Sequence, residues 1–282
     1  MSAATDSAIP GAPVPDLVEG RRAGRKPRRW GSLYVAEHKI LAMRAYLQTL
    51  VVTILGNPLL YLFGLGVGLA HLINAPVGGA SYLQFVAPAL LASAAVTVSA
   101  NEFTYPVIAG FKWNAIYFGI NAAPISPAQI VNGIVLAVLV RMVPTVGVYF
   151  VFMLVFGAVP SALGVLSVAT AVLTGISVGL LIMAAMSRVV DDRGQPALIQ
   201  RFGIMPMFLF SGTFFPISHL PIYLQWIGWV SPLWHGTQLG RDLSYGMAEP
   251  AWLVIVHVLY LVAIAIVGWL LSVRTFVRRL NK

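Results

Sequence analysis

Four long apolar stretches in this chain, residues 45–70, 81–101, 161–187 and 251–273, contain no Asp, Glu, Lys or Arg. Two more are nearly as apolar: 128–156, with the single charge Arg141, and the short 197–214, with Gly203, Pro206 and Gly212. A helix of roughly 20 mostly apolar residues crosses a hydrocarbon layer about 30 Å thick. Inside that layer every backbone N–H and C=O must be paired within the chain, which selects helices for spans of this length. Soluble domains carry about 25% charged residues; this 282-residue chain carries 10%, against 59% hydrophobic. Water cannot be the solvent of such a surface. The sequence predicts an all-α membrane protein with six transmembrane helices.

Lys and Arg number 18 and acidic residues nine. With six spans, sixteen of the basic residues fall on one side: the segment through Arg44, Lys112, the region of Arg188, Arg193 and Arg201, and the tail with Arg274, Arg278, Arg279 and Lys282. Arg141 lies inside a span, and Arg241 is alone on the far side. This skew follows the positive-inside rule and predicts a multi-pass protein of the cell inner (plasma) membrane with both termini cytoplasmic. Topology thus accounts for the basic charge, and no nucleic-acid partner is expected.

Residues 1–30, rich in Ala, Pro and Gly and ending in Arg21, Arg22, Arg25, Lys26, Arg28 and Arg29, read as a disordered basic cytoplasmic tail near anionic lipid. Residues 31–45 mix Leu33, Ile40, Leu41 and Met43 with Glu37, His38, Lys39 and Arg44. That pattern reads as an amphipathic interface helix, with a plain extension of the first span as the alternative. Residues 46–282 form the six-helix transmembrane domain.

The machinery of an enzyme is missing from the pattern. None of the four lysines follows Gly, so no G-x-x-x-x-G-K-[ST] phosphate loop exists. The five histidines form no H-E-x-x-H, the spacing of a zinc protease, and the absence of cysteine excludes thiolate metal sites and disulfides. Ser211-Gly212 precedes His219 and His235, but a serine nucleophile needs a base and an oxyanion hole. Leu209 also stands where rhomboid-type proteases place glycine. A lipid-modifying enzyme would need a polar catalytic cluster at one membrane face. The polar stretch 187–195, with Asp191 and Asp192, reads instead as a solvated loop or a contact for a partner. The chain looks like a conduit without its own energy source.

Two connections carry a resemblance. The cytoplasmic one, between spans two and three, holds Asn101-Glu-Phe-Thr-Tyr-Pro106, Gly110, Lys112-Trp113-Asn114, Ala123-Pro124-Ile125-Ser126-Pro127 and Gly133. The other, between spans five and six, holds Ser211-Gly212-Thr213-Phe214-Phe215-Pro216-Ile217, Leu220-Pro221, Trp226, Trp229 and Ser231-Pro232-Leu233. Over about residues 34–282 the sequence resembles the permeases of ABC type-2 exporters, within them the daunorubicin-type drug and nodulation-factor lipo-oligosaccharide exporters.

By that resemblance, about 111–121 is a coupling helix seated on an ATP-binding subunit, with Glu102, Lys112, Trp113, Asn114, Tyr117 and Phe118 at or beside the contact. The aromatic residues suit an interface; a membrane-skimming loop is the alternative. The second connection is by resemblance a re-entrant outer segment of two short helices. Pro216, Pro221 and Pro232 would break a continuous span, and the tryptophans suit the outer interface belt. A plain outer loop is the alternative.

The resemblance implies two cytoplasmic ABC ATP-binding subunits, a second permease copy or paralogue, and a membrane-lipid environment. ATP and Mg belong to the partner subunit, with no cofactor in this chain. The expected cargo is hydrophobic or amphipathic (a drug, lipid or glycolipid), with polysaccharide as the runner-up. Phe214, Phe215, Trp226 and Trp229 are expected along the translocation path, with Arg141. Arg141 either faces a polar groove or snorkels towards an interface, and the spans hold no carboxylate to pair with it. Gly64/Gly68 and Gly175/Gly179 have the spacing of close helix contacts, within the chain or at a dimer seam.

Overall fold

The structure, a computed structural model, describes residues 25–68, 76–247 and 249–281. Residues 1–24 of the expected tail and the expected end of the first span lie outside that set. The helices are α1 (Arg25–Met43), α2 (Leu47–Tyr61), α3 (Tyr82–Phe103), α4 (Tyr105–Phe111), α5 (Ile116–Ala122), α6 (Pro127–Val155), α7 (Leu166–Met186), α8 (Gln195–Leu198), α9 (Met205–Phe210), α10 (Ile222–Val230), α11 (Pro232–Tyr245) and α12 (Ala251–Leu280). A 3-10 turn, Arg44–Tyr46, joins α1 to α2, which continues as the π-helical Leu62–Gly68. Of the expected 1–30 tail, the described residues 25–30 lie in α1, which is kinked at Trp30 (φ -114, ψ 16).

Local chemistry sets the starts. Ser81 and Ser126 each accept a bond from the backbone N–H three residues on, while their own backbone N–H groups donate to Oε1 of Gln84 and Gln129. This S-x-x-Q capping box satisfies two otherwise orphan donors. Pro127 fits because the first helical turn needs no N–H from it.

Five helical stretches are long and apolar enough to cross a membrane: Arg29–Gly64, Tyr82–Phe111, Pro127–Val155, Ala162–Met186 and Ala251–Leu280. The expected fifth span, 197–214, is shorter. It is a helical path from Gln195 to Phe210 through a π-helical Ile199–Ile204, about 24 Å at 1.5 Å per residue. It stops because Gly212 takes φ +70, a left-handed conformation that glycine adopts without strain. The carbonyl of Gly212, released from the helix, accepts from Arg241 Nη2 at 2.7 Å. Ser211 bonds back to the Met207 carbonyl and meets Ser231 Oγ at 2.6 Å. Past this break the chain continues as two separate helices, α10 and α11.

α3 and α7 form the centre; 78% of the apolar window of α3 is buried, against 17% for α12. Their seam settles the Gly175/Gly179 pair as intramolecular. A Cβ on Gly175 would meet the Ala95 carbonyl oxygen at 2.8 Å, and one on Gly179 would meet Ser99 Cβ at 2.8 Å. Gly268 brings α12 equally close to the α7 backbone at Leu180. Gly64, by contrast, has nothing within 4 Å.

The substitution Gly175→Ala should therefore lower stability by about 1–3 kcal/mol, the usual cost of overpacking, whereas Gly64→Ala should be neutral. Thermal unfolding of the two purified variants in detergent checks this, and equal midpoints would contradict the seam.

Candidate functional site

The connection from α3 to α6 builds a compact bracket at the end of the molecule where α12 finishes. It is two helices rather than the single one expected over 111–121. α4 ends at Phe111, Lys112–Ala115 turns, and α5 restarts at Ile116. Ala115 caps α5 at φ +50, a region that costs a non-glycine residue strain. The turn lets the Tyr117 ring lie directly on Gly110, where a side chain would collide.

One face of the bracket is anchored. Phe111 meets Tyr117 edge-on at 4.9 Å and Phe276 of α12 at 4.7 Å. The Arg279 guanidinium lies 4.0 Å over Phe111 while its Nη1 donates to the carbonyls of Ser187 and Val189. Asn121 donates to the Leu280 carbonyl at 3.2 Å. Burial first, and the Glu102 charge second, raise the Tyr117 phenol above its ordinary range, so it stays neutral.

The opposite face is open and aromatic. Trp113 is 53% exposed, Tyr105 49% and Phe118 44%, and Tyr105 stacks on Trp113 at 6.4 Å. Lys112 and Asn114 are exposed beside them, and Lys112 pairs with Asp191 at 3.3 Å. The polar stretch 187–195 is thus joined to the bracket. Of the expected contact residues, Lys112, Trp113, Asn114 and Phe118 face outward, whereas Tyr117 and Glu102 are buried.

Glu102, one residue from the end of α3, is 3% exposed. Its Oε2 lies 3.1 Å from Lys39 Nζ of α1, and its Oε1 binds Arg141 Nη1 of α6. This corrects the expectation that Arg141 has no carboxylate to meet. The sequence places Glu102 just beyond span two and Lys39 on the interface helix but does not show that they pair, because the three residues come from helices far apart in sequence.

Further along α3 and α6, and closed by α2 and α9, lies a cavity of about 130 Å³, lined by Thr53, Asn57, Pro58, Tyr61, Leu90, Ser93, Ala94, Thr97, Thr145, Tyr149 and Phe208. Its wall alternates hydroxyls and an amide with apolar side chains, and the buried Tyr149 hydroxyl has no partner within the described residues. Of the residues expected on a path, Phe214 reaches this cavity only through an edge contact with Phe208, at 5.3 Å. Phe215, Trp226 and Trp229 sit elsewhere, on exposed surface. Arg241, read from sequence only as the far-side cation, is 2% exposed. Its guanidinium donates to the carbonyls of Phe85 and Gly212 and to Gln238 Oε1, and lies 3.6 Å over the Phe85 ring.

A family model, that of the ABC-2 type transporter, matches residues 35–245. The chain is 27% identical over 259 residues to nodulation protein J of Rhizobium meliloti (strain 1021), covering 89% of this chain and 94% of that protein. To nodulation protein J of Rhizobium leguminosarum bv. viciae it is 28% identical over 246 residues, covering 84% and 92%. To nodulation protein J of Neorhizobium galegae it is 27% identical over 230 residues, covering 81% and 86%.

Removing the shared anion of a buried ionic group should cost more than removing one of its two cations. Glu102→Gln is expected to lose about 3–5 kcal/mol, the penalty for stranding a buried charge. Arg141→Met should lose less, since Lys39 still faces Glu102. Urea or thermal unfolding of the purified variants gives the order, and a reversed order would mean that Glu102 is not the hub.

Proposed function

Because the chain belongs to the ABC-2 type transporter family, we propose that it is the membrane permease of an ATP-driven exporter that moves a hydrophobic or amphipathic cargo out of the cytoplasm. The observation that carries this reading is the α4–α5 bracket. Its outer face offers aromatic anchors to a partner, and its inner face is braced on the end of α12. Large exposed aromatic side chains on a stiff support are what a protein interface uses as hot spots. The occupant is a cytoplasmic ABC ATP-binding subunit. Two such subunits serve two permease chains, and ATP and Mg lie in them.

The sixth crossing is α8–α9, short but completed by the two helices that follow. With it both termini lie in the cytoplasm, the side favoured by the basic residues. Closure of the ATPase pair presses on the bracket. The push enters α3 next to Glu102 and passes through Lys39 to α1 and through Arg141 to α6. Of these, α3 and α6 line the 130 Å³ cavity together with α2 and α9, so a shift between them changes its shape. Hydroxyl and amide groups set among apolar walls suit a drug, lipid or glycolipid better than a fully polar chain.

Alanine at Trp113 or Phe118 should weaken association with the ATP-binding subunits by roughly thirty-fold, a loss of about 2 kcal/mol at an interface hot spot. Trp252→Ala, at a tryptophan 64% exposed on another helix, serves as the control. Pull-down and ATPase assays on the reconstituted complex read both. Wild-type association and transport in the Trp113 and Phe118 variants would refute the coupling role.

A further inference from the structure

The 130 Å³ cavity has a buried floor and an open mouth. Ser93, Thr145 and Tyr149 are buried, whereas Thr53, Asn57, Tyr61 and Thr97 are exposed. Ser93 stands nine residues before Glu102, roughly 13 Å along α3. The floor therefore lies deep within a hydrocarbon layer about 30 Å thick, where lipid tails complete no hydrogen bond.

The hydroxyl hydrogens can be traced one by one. Ser93 donates to the Ala89 carbonyl at 2.8 Å, and Thr97 to the Ser93 carbonyl at 2.8 Å. Thr145 donates to the Arg141 carbonyl at 2.8 Å. Thr53 shares its hydrogen between the carbonyls of Thr49 and Leu50, at 3.0 and 2.9 Å. Each of these four groups has given its one hydrogen to its own helix and keeps only lone pairs for the cavity. Tyr149 is the reverse case. It is 2% exposed, and its hydroxyl meets no partner among the described residues. A buried donor left unpaired is costly, so the floor combines spare acceptors with one unspent hydrogen.

That combination discriminates between head groups. Among the described residues no Asp, Glu, Lys, Arg or His lines the cavity. A phosphate or carboxylate would enter without a cation and set its own lone pairs against those of Ser93 and Thr145, a repulsive contact out of water. An ammonium would donate to the two oxygens, find no carboxylate, and leave Tyr149 unpaired. A hydrocarbon would leave every group unmet. Asn57 and Tyr61 add donors at the mouth, but they do not change the floor. An uncharged group that carries both a hydrogen and a lone pair satisfies both sides at once.

We propose that this cavity binds the hydroxyl or secondary-amide head of an amphipathic molecule, and that Tyr149 is the specificity-determining residue that donates to its oxygen. The hydrogen of the bound head goes to Ser93 or Thr145. The inference rests on the permease reading for the origin of the ligand, and it narrows the cargo to one with an uncharged head that both donates and accepts.

The experiment uses the full-length protein in lipid nanodiscs and three tritiated probes of one chain length: N-dodecylacetamide, dodecylammonium and dodecyl phosphate. Retention by empty nanodiscs is subtracted for each. The amide should bind roughly tenfold more tightly than either charged probe, the factor expected for one further buried hydrogen bond. Tyr149→Phe keeps the ring and removes the hydroxyl. It should weaken the amide about tenfold and leave the ammonium, which has no oxygen to receive the bond, where it was. A merely structural role of Tyr149 would shift both probes alike and lower the unfolding midpoint, which is expected to stay unchanged. Thr145→Val, similar in shape without the oxygen, should weaken the amide in a chain whose Tyr149 is intact. The proposal is wrong if the wild-type protein retains no amide beyond empty nanodiscs, which would leave the cavity to water. It is equally overturned if the phosphate binds as well as the amide, or if Tyr149→Phe keeps the preference for the amide over the ammonium. Binding is read without the ATP-binding subunits. Its failure leaves their association with the bracket standing, and loss of that association leaves the binding result standing.

Discussion

A carboxylate taken out of water costs several kcal/mol even after its surroundings relax, and Glu102 offsets that cost with two cations drawn from different helices. The arrangement has mechanical consequences. Removing either cation leaves the other in contact, so the group tolerates small shifts of α1 or α6. Separating both from α3 at once would strand the charge, so α1 and α6 stay tied to α3 at this end of the bundle. The bracket emerges from α3 immediately after this point. A force applied there meets the ionic contact before it meets the rest of the bundle.

Much of this frame is legible in the sequence, and the rest is not, for identifiable reasons. Charge-free runs mark the long spans because lipid admits few alternatives. Ser126 three residues before Gln129 marks a helix start because capping is local. The ends of the expected fifth span and of the bracket escaped that reading because they depend on partners far along the chain. Phe210 ends a helix where Arg241 takes the Gly212 carbonyl, and Gly110 permits a fold-back because Tyr117 must reach Phe276. The Arg141–Glu102 pair spans 39 residues across two helices whose relative placement follows from how α3 and α6 pack in three dimensions. Neither hydropathy nor spacing reports that placement.

The same logic explains why two arginines counted as topology signals are in fact structural. Arg241 breaks the charge asymmetry of the loops, and its burial resolves the exception. The guanidinium replaces lost water with three oxygen acceptors and an aromatic face, and it holds together α3, the break after α9, and α11. Arg279 sits among basic tail residues yet closes the loop after α7 against Phe111. For both, composition showed only that a cation was present, whereas the carbonyls that bind it are set by the fold.

α12 links these clusters into one piece. It is fastened to α7 by Gly268 against the Leu180 backbone, by Ser177 donating to the Leu261 carbonyl and by Ser272 donating to that of Leu180. Inter-helix hydroxyl bonds of this kind add modestly to the close packing. α7 is in turn closed on α3 through Gly175 and Gly179. These three helices therefore form one closely packed block, with the bracket at one end. Opposite the block stand α1, α2 and α6, joined to it near the bracket through Glu102. Between the two groups lies the cavity lined by Ser93, Thr97, Thr145 and Tyr149. Relative motion of the two groups must reshape that space, because dense packing within the block leaves the seam between them as the compliant direction.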